Sequence, residues 1–406
     1  MIDTTSEVVP IPESHESGLS HGLVNNTEFV ASATKPVTRS TEYRRLMYKR
    51  WYAIRNHVPY SHRIRACHTM LNPSKTSLDV QVNAKKRVRI VGHVHCDNVW
   101  LCPLCSNKRA ISIARKLNLL LQHAIDNNLS VYFITFTLSH SPYDKLVETY
   151  NGLKDAMRRM KLQRAYKSML DEYDLEKTSV TFTEITFGNN GFHPHFHTLF
   201  LANDGYSSNF DDTGMNEITR GYEVKKWELD RTLHEKKLKR EFYSYWLPSL
   251  KACGFSASEE RGVLVRLGDS AVKAVISYLN EEGVSVTKET DTGLLTPNRS
   301  AISEVTSYAT KNPKMGGVNP FDLLPDNPDK FDEYMTGTKG KQRVSGLDDM
   351  LKRFGIDDSA SNAIDDSDQY VTLFELSIER YRMLIQEQRV SEFIEFVENS
   401  LVQSEK

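Results

Sequence analysis

The chain has little cysteine, only five residues in 406. That is too few for a disulfide scaffold, and Cys96, Cys102 and Cys105 sit close together while Cys67 and Cys253 stand apart, a grouping that suits a metal better than bridges. Long apolar runs are also missing. No stretch approaches the roughly 20 residues that span a bilayer, and the first thirty residues are acidic and polar where a targeting segment would be apolar. A soluble, cytoplasmic protein with no membrane partner is expected. A P-loop is absent too, since TGTKGKQ (336–342) has its glycines and lysine at the wrong spacing, which excludes an ATP-driven helicase within this chain. There is no internal repeat. Nor is there a strong net charge: the total is -1.

What charge there is lies unevenly. Lys35 to Gly92 holds 14 lysines and arginines against 2 acids, and the rest of the chain is net acidic. Within it, RRLMYKRWYAIR sets Arg44, Arg45, Lys49 and Arg50 beside Trp51 and Tyr52, so cations could neutralise phosphates while aromatic faces stack on bases. Lys85, Lys86 and Arg87 form a second basic group. The alternative for the first group is a solvated amphipathic helix.

Hydrophobic residues make up 39% of the chain, ample for a core. Four regions are expected: a disordered leader over 1–34, a basic region with a Cys/His knuckle over 35–110, a main domain over 111–356 with a polar insertion near 203–235, and an acidic tail over 357–406. Ser106 can cap a helix running to about Asn127. VYFITFTLS (131–139) reads as a buried strand, and 144–172 as helical. SVTFTEITF (179–187), GNNG and HPHFHTLFLA (193–202) read as a hairpin of two core strands. Further helices are predicted from about Lys239 to Cys253, over Ser270–Glu282 and over Ser300–Lys311, with a short strand at 262–268 between the first two. The tail should end in one amphipathic helix, roughly Tyr370 to Val397, for packing or self-association. Irregular alternation around a central hairpin favours an α+β fold, an antiparallel sheet covered by helices.

Two constellations carry chemistry. Residues two apart in a strand share a face, so His195 and His197 point the same way, with Phe196 turned into the core. For a turn at Asn189 and Asn190, Glu184 falls opposite or diagonal to them, and the three could form a facial metal site with open positions; a hydrogen-bonded polar strand is the alternative. His193 has the same parity and is a third ligand, a substrate contact or neither. In SAISEVTSYATK, Glu304, Tyr308 and Lys311 stand at i, i+4 and i+7, on one helical face. There Tyr308 could attack a phosphodiester, Lys311 could stabilise its oxyanion and Glu304 could activate a water; an ordinary helix surface is the alternative. In HVHCDNVWLCPLC, the donors Cys96, Cys102 and Cys105 with His93 or His95 make a tetrahedral set for structural zinc; a reduced, buried cysteine pair is the other reading.

FITFTLS (133–139), HPHFHTLF (193–200) and EVTSYATK (304–311) resemble, in order and spacing, the three motifs of the HUH endonucleases. Within that superfamily the chain resembles the plasmid rolling-circle initiators that place a glutamate one turn before the nucleophilic tyrosine. CPLCSNKRA (102–110), NPFDLLP (319–325) and KQRVSGLDDMLKRFGI (341–356) extend the likeness over roughly 85–356. The resemblance implies that His195 and His197 hold Mg2+ or Mn2+ and that Tyr308 becomes linked to a DNA 5′ phosphate, leaving a 3′ hydroxyl. It also implies that Glu304 assists release. The implied partner is an origin with a single-stranded nick site; without a P-loop, strand opening is left to supercoiling or a host helicase and extension to a host DNA polymerase, and the tail could pair with a second copy of the chain. Val344 stands where the family usually has tryptophan, and 203–235 has no counterpart. Tyr278 is a rival nucleophile without a matching glutamate and lysine. Relaxases place the tyrosine before the histidines, unlike this chain. A transposase of the same chemistry, or a non-catalytic DNA-binding regulator built on the knuckle, are the alternatives.

Overall fold

The computed structural model describes residues 39–84, 86–206, 217–268, 271, 286–288, 295–297, 318–357 and 370–403. The fold is α+β, with antiparallel sheets covered by helices. It begins with α1 (Arg39–His57), then β1 (Leu78–Asn83) and β2 (Val88–Val91), then α2 (Pro103–Asp126). The central region follows with β3 (Ser130–Phe136), α3 (Leu146–Leu162), α4 (Arg164–Glu172), β4 (Val180–Gly188), β5 (Gly191–Ala202), α5 (Glu217–Lys251) and β6 (Val263–Leu267). A two-stranded ribbon, β7 (Val286–Lys288) with β8 (Leu295–Pro297), precedes α6 (Pro328–Thr338), β9 (Val344–Ser345) and α7 (Leu347–Arg353). The chain closes with β10 (Tyr370–Leu376), α8 (Ile378–Gln386) and α9 (Val390–Gln403).

The main sheet has five strands in the order β6-β3-β5-β4-β9, every pair antiparallel. Its central strands are apolar and aromatic, so each face needs a cover. On one face Tyr132, Ile134, Phe136, Phe196 and Phe200 pack under α3, α4 and α5, with Phe242 and Trp246 fully buried. On the other, Phe133, Phe182, Leu199 and Leu201 pack under α2 and α7. α2 offers Ala110, Ile113, Ala114, Leu117, Leu120, Leu121 and Ala124 at helical spacing.

Several boundaries differ from the sequence reading. α2 starts at Pro103 with Cys102 as its N-cap, and Ser106 lies inside the helix, accepting from Arg343 at 2.7 Å. Proline suits the first turn because its missing N–H has no partner there anyway. The polar stretch expected as an insertion is, from Glu217, the first half of the 35-residue α5. Its polarity disguised it: exposed Leu229 and Leu233 and many charges give no apolar stripe until Leu238, Phe242 and Trp246. The tail is not one helix. Tyr370–Leu376 is a strand that completes a three-stranded sheet, order β10-β1-β2, and two helices follow. β-branched and aromatic YVTLFEL favours the strand once β1 offers an edge. The helices predicted over Ser270–Glu282 and Ser300–Lys311 lie outside the described residues.

α1 is not a stacking platform. Trp51 and Tyr52 are buried, in one core with Leu78, Val80, Cys67 and the tail residues Tyr381, Phe393, Ile394 and Val397. Ion pairs stitch the same contact: Arg44 grips both carboxylate oxygens of Glu398 at 2.9 Å, and Arg45 meets Glu395 at 2.6 Å. Among the described residues no helix is long and apolar enough to cross a membrane.

Gly346, between β9 and α7, has φ +81°, and a Cβ there would collide with the Ser179 carbonyl oxygen. Both the left-handed backbone and the close approach require glycine. Gly346→Ala should lower unfolding stability by about 1–3 kcal/mol, read from the denaturation midpoint.

Candidate metal centres

The β4–β5 hairpin turns through two residues, with Gly188 opposite Gly191, and so fixes the register of everything behind it. Glu184 comes to lie directly opposite His195, and Phe182 opposite His197. His193, His195 and His197 share the face that carries Phe133 and Leu199, beyond the cover of α2, while Phe192, Pro194 and Phe196 turn inward. Glu184 Oε2 is 2.7 Å from His195 Nε2 and 2.9 Å from His197 Nε2. Neighbouring donors in octahedral coordination at about 2.1 Å are about 3 Å apart, so the three side chains fit a small divalent ion. The facial arrangement leaves positions for phosphate oxygens.

Around them are residues that sequence spacing alone does not single out. Thr135 of β3 lies opposite His197, and its Oγ1 is 2.9 Å from His197 Nδ1, which orients the ring and leaves Nε2 toward Glu184. Phe133 stacks on the same ring, centroids 5.1 Å apart and planes 8° off parallel. His140 Nε2 meets His193 Nδ1 at 2.8 Å, so His193 is engaged with a second histidine at the strand mouth. Burial pushes His197 below its ordinary range, and burial with the neighbouring His195 and His140 pushes His193 down to about 4. Glu184 is pushed up by burial, but His195 and His197 outweigh this and hold it well below the usual carboxylate range. At neutral pH the site therefore presents a carboxylate and a neutral His197 imidazole, the forms a metal takes. Tyr308, Glu304, Lys311 and the rival Tyr278 lie outside the described residues.

A second donor set is made of thiols. Cys96, Cys102 and Cys105 come together as the sequence suggests, but their fourth partner is Cys67, brought from the loop after α1, and not His93. The Sγ separations are 3.8 Å for Cys67–Cys102, 3.5 Å for Cys67–Cys105 and 3.7 Å for Cys96–Cys105. A tetrahedron with Zn–S bonds of about 2.3 Å has edges of about 3.8 Å, so the four thiols fit that ion closely. Hydrogen bonds from Cys102, Cys67 and Cys96 hold the Cys105 thiol well below the ordinary range, while burial pushes Cys102 up. Distance along the chain hid Cys67; only tertiary packing delivers it. His93 belongs instead to a separate group with His68 and His95. Burial, with His68 and His95 beside it, pushes His93 down to about 2.

The basic residues divide in two. Arg44, Arg45 and Arg50 are paired internally, Arg50 with Asp322 at 2.7 Å. Lys49 is exposed, Lys86 and Arg87 are half-buried, and Lys85 lies outside the described residues.

A family described as "Replication protein" matches residues 88–216. That span runs through Cys96, Cys102 and Cys105 to the complete Glu184–His195–His197 set. A protein named "Protein rep" from Streptomyces lividans is 23% identical over 158 residues, which are 32% of this chain and 34% of that protein. The chain is thus similar to replication proteins, and the likeness spans about a third of that relative's length. No solved structure matches the chain.

Thr135→Val keeps the shape of the side chain and removes the hydroxyl, so Mn2+ affinity at the His195–His197 site should fall about 10-fold or more, measured by isothermal titration. The same titration fixes the pH dependence. Because His197 is held below its ordinary value and Glu184 stays ionised, neither group should cost affinity at neutral pH, and affinity should fall as the solution is made more acid and protons displace the metal.

Proposed function

We propose that the chain initiates rolling-circle replication by nicking one DNA strand at an origin with Tyr308. The observation that carries this reading is the convergence of Glu184, His195 and His197 on one open sheet face, within the segment that matches replication proteins. Mg2+ or Mn2+ bound there supplies positive charge that polarises and orients the scissile phosphate. The Tyr308 hydroxyl attacks the phosphorus in line. The bond to the 3′ oxygen breaks, the 5′ phosphate stays on tyrosine, and the departing oxygen takes up a proton to become a primer hydroxyl. Lys311, one turn from Tyr308 by sequence, stabilises the phenolate as its proton leaves. After one round, Glu304 deprotonates the water, or receives the proton of the hydroxyl, that displaces the strand from Tyr308.

The remaining parts have supporting roles. The four thiols of Cys67, Cys96, Cys102 and Cys105 hold a structural zinc that fixes the start of α2. Lys49, Lys85, Lys86 and Arg87 contact origin phosphates, with the paired Arg44, Arg45 and Arg50 adding to the field. Strand opening and extension fall to a host helicase and DNA polymerase, in keeping with the missing P-loop, and the tail helices offer a face for a second copy.

The test is a single-stranded origin oligonucleotide incubated with the protein and Mn2+, then a denaturing gel. Wild type should give a covalent adduct and a shortened strand. Tyr308→Phe should give neither, and an adduct from that variant overturns the assignment of the nucleophile. His195→Ala and His197→Ala should slow nicking by several kcal/mol, about a thousandfold; normal cleavage by them refutes the metal site. Glu304→Ala should nick at close to the wild-type rate and accumulate adduct. A chain that binds the origin and never forms adduct is a regulator, not a nuclease.

A further inference from the structure

Away from the sheet, the fold gathers three more imidazoles. Donor atoms of His68, His93 and His95 all lie within 4.8 Å of one another. The ring centroids are 4.0 Å apart for His68–His93, 4.8 Å for His68–His95 and 5.0 Å for His93–His95. Both ring nitrogens of His68 and Nδ1 of His93 and of His95 are buried; those of His93 and His95 have no hydrogen-bond partner among the described residues, and His68 lies beside the Cys105 thiol. A neutral imidazole carries one N–H and one lone pair, and buried polar atoms are nearly always paired. Each ring can turn only one lone pair to an ion, and three such lone pairs gathered in one small cluster call for a common acceptor.

We propose that His68, His93 and His95 form a second metal site beside the four cysteines. The sequence accounts for the pair of sites. Cys67–His68 and His95–Cys96 are consecutive couples, and each couple gives its cysteine to the thiol cluster and its histidine to the imidazole cluster. His68 takes φ +54°, a left-handed turn unusual for a residue with a side chain, closed by its N–H donating to the Val94 carbonyl at 2.9 Å. A backbone bridge between Leu71 and His93 holds the two segments side by side. Tyr381 of α8 stacks on His93 at 6.2 Å and 11°, and Trp51 of α1 meets His68 edge-on, so the cluster joins α1 and α8 to the knuckle. His68 and His95 are only half-buried, so the cluster lies near the surface. Three imidazoles and no carboxylate suit a zinc-class divalent ion, not magnesium.

The experiment uses the full chain with His195→Ala and His197→Ala, so that the sheet site takes no zinc. Loaded with zinc and dialysed against metal-free buffer, it should retain about two ions per chain. Adding His68→Gln and His93→Gln should lower this to about one, while the cobalt-substituted protein keeps its thiolate charge-transfer band. One ion in both proteins overturns the second site, as do two ions in both. Loss of the thiolate band with one ion remaining in the parent would sink the cysteine site and leave the histidine site standing. Should the added substitutions unfold the chain, zinc X-ray absorption on the parent decides. Mixed sulfur and imidazole shells at two ions per chain are expected, and a sulfur shell alone refutes the histidine site.

Discussion

The site depends on one constraint, the register of the β4–β5 hairpin. Side chains alternate along a strand, so a slip of one residue would send His195 and His197 to the opposite face, among Phe136, Phe200 and Trp246. Two features forbid that slip. The turn is closed with Gly188 opposite Gly191, and Gly191 takes φ +80°, open to glycine at no steric cost. Behind the turn, Phe192 and Phe196 are buried while the three histidines are half-buried, so a shifted strand would bury imidazoles and expose phenyl rings. The candidate donors His195 and His197 are therefore positioned by the hydrophobic effect acting on their neighbours, and Glu184 needs only to sit opposite.

The parts legible from sequence were those with local periodicity. The hairpin, the parity of the histidines and the place of Glu184 follow from strand geometry alone, and α2 from its apolar stripe. What escaped was set by partners far along the chain. Cys67 is 29 residues before Cys96, and its thiol lies 3.3 Å from the Cys96 N–H. Thr135 reaches His197 across a strand pair that no local pattern announces. Tyr370–Leu376 becomes a strand because β1 has a free edge, although its residues also fit the helical pattern that continues beyond them. Trp51 and Tyr52 sit in a cationic segment and read as solvent-facing, yet they anchor the core between α1 and the tail.

Charge shows the same division between local pattern and tertiary use. The basic segment is surplus only when counted along the chain; in space, Glu398 takes Arg44, Glu395 takes Arg45 and Asp322 takes Arg50. Arg50 is nearly buried, and a buried guanidinium left without its carboxylate is costly, so that pair is a condition of the fold more than a source of stability. Glu398 does double duty, since its Oε1 also accepts the Val88 N–H at 3.0 Å and ties α9 to the edge of β2. The acidic tail and the basic start thus compensate each other. The near-zero net charge reflects that internal pairing, and a field for polyanions has to come from the cations left outside it.

α1, the tail helices and the sheet all have contacts with the knuckle segment. Arg343, just before β9, lays its guanidinium over Trp100 at 4.7 Å and donates to the Val99 carbonyl and to Ser106, while its own carbonyl accepts the Thr183 N–H at 2.7 Å. Thr183 is the residue before Glu184. Trp100 in turn donates through Nε1 to the Lys341 carbonyl at 2.9 Å. A path of partly buried polar contacts therefore runs from the loop that carries Cys96 and Cys102, through Arg343, to the backbone beside Glu184. Val344, which follows, pairs with Phe182 and packs on the same apolar face as Leu199. The loop that carries the cysteines and the strand that carries Glu184 thus share one residue, Arg343, as a common partner.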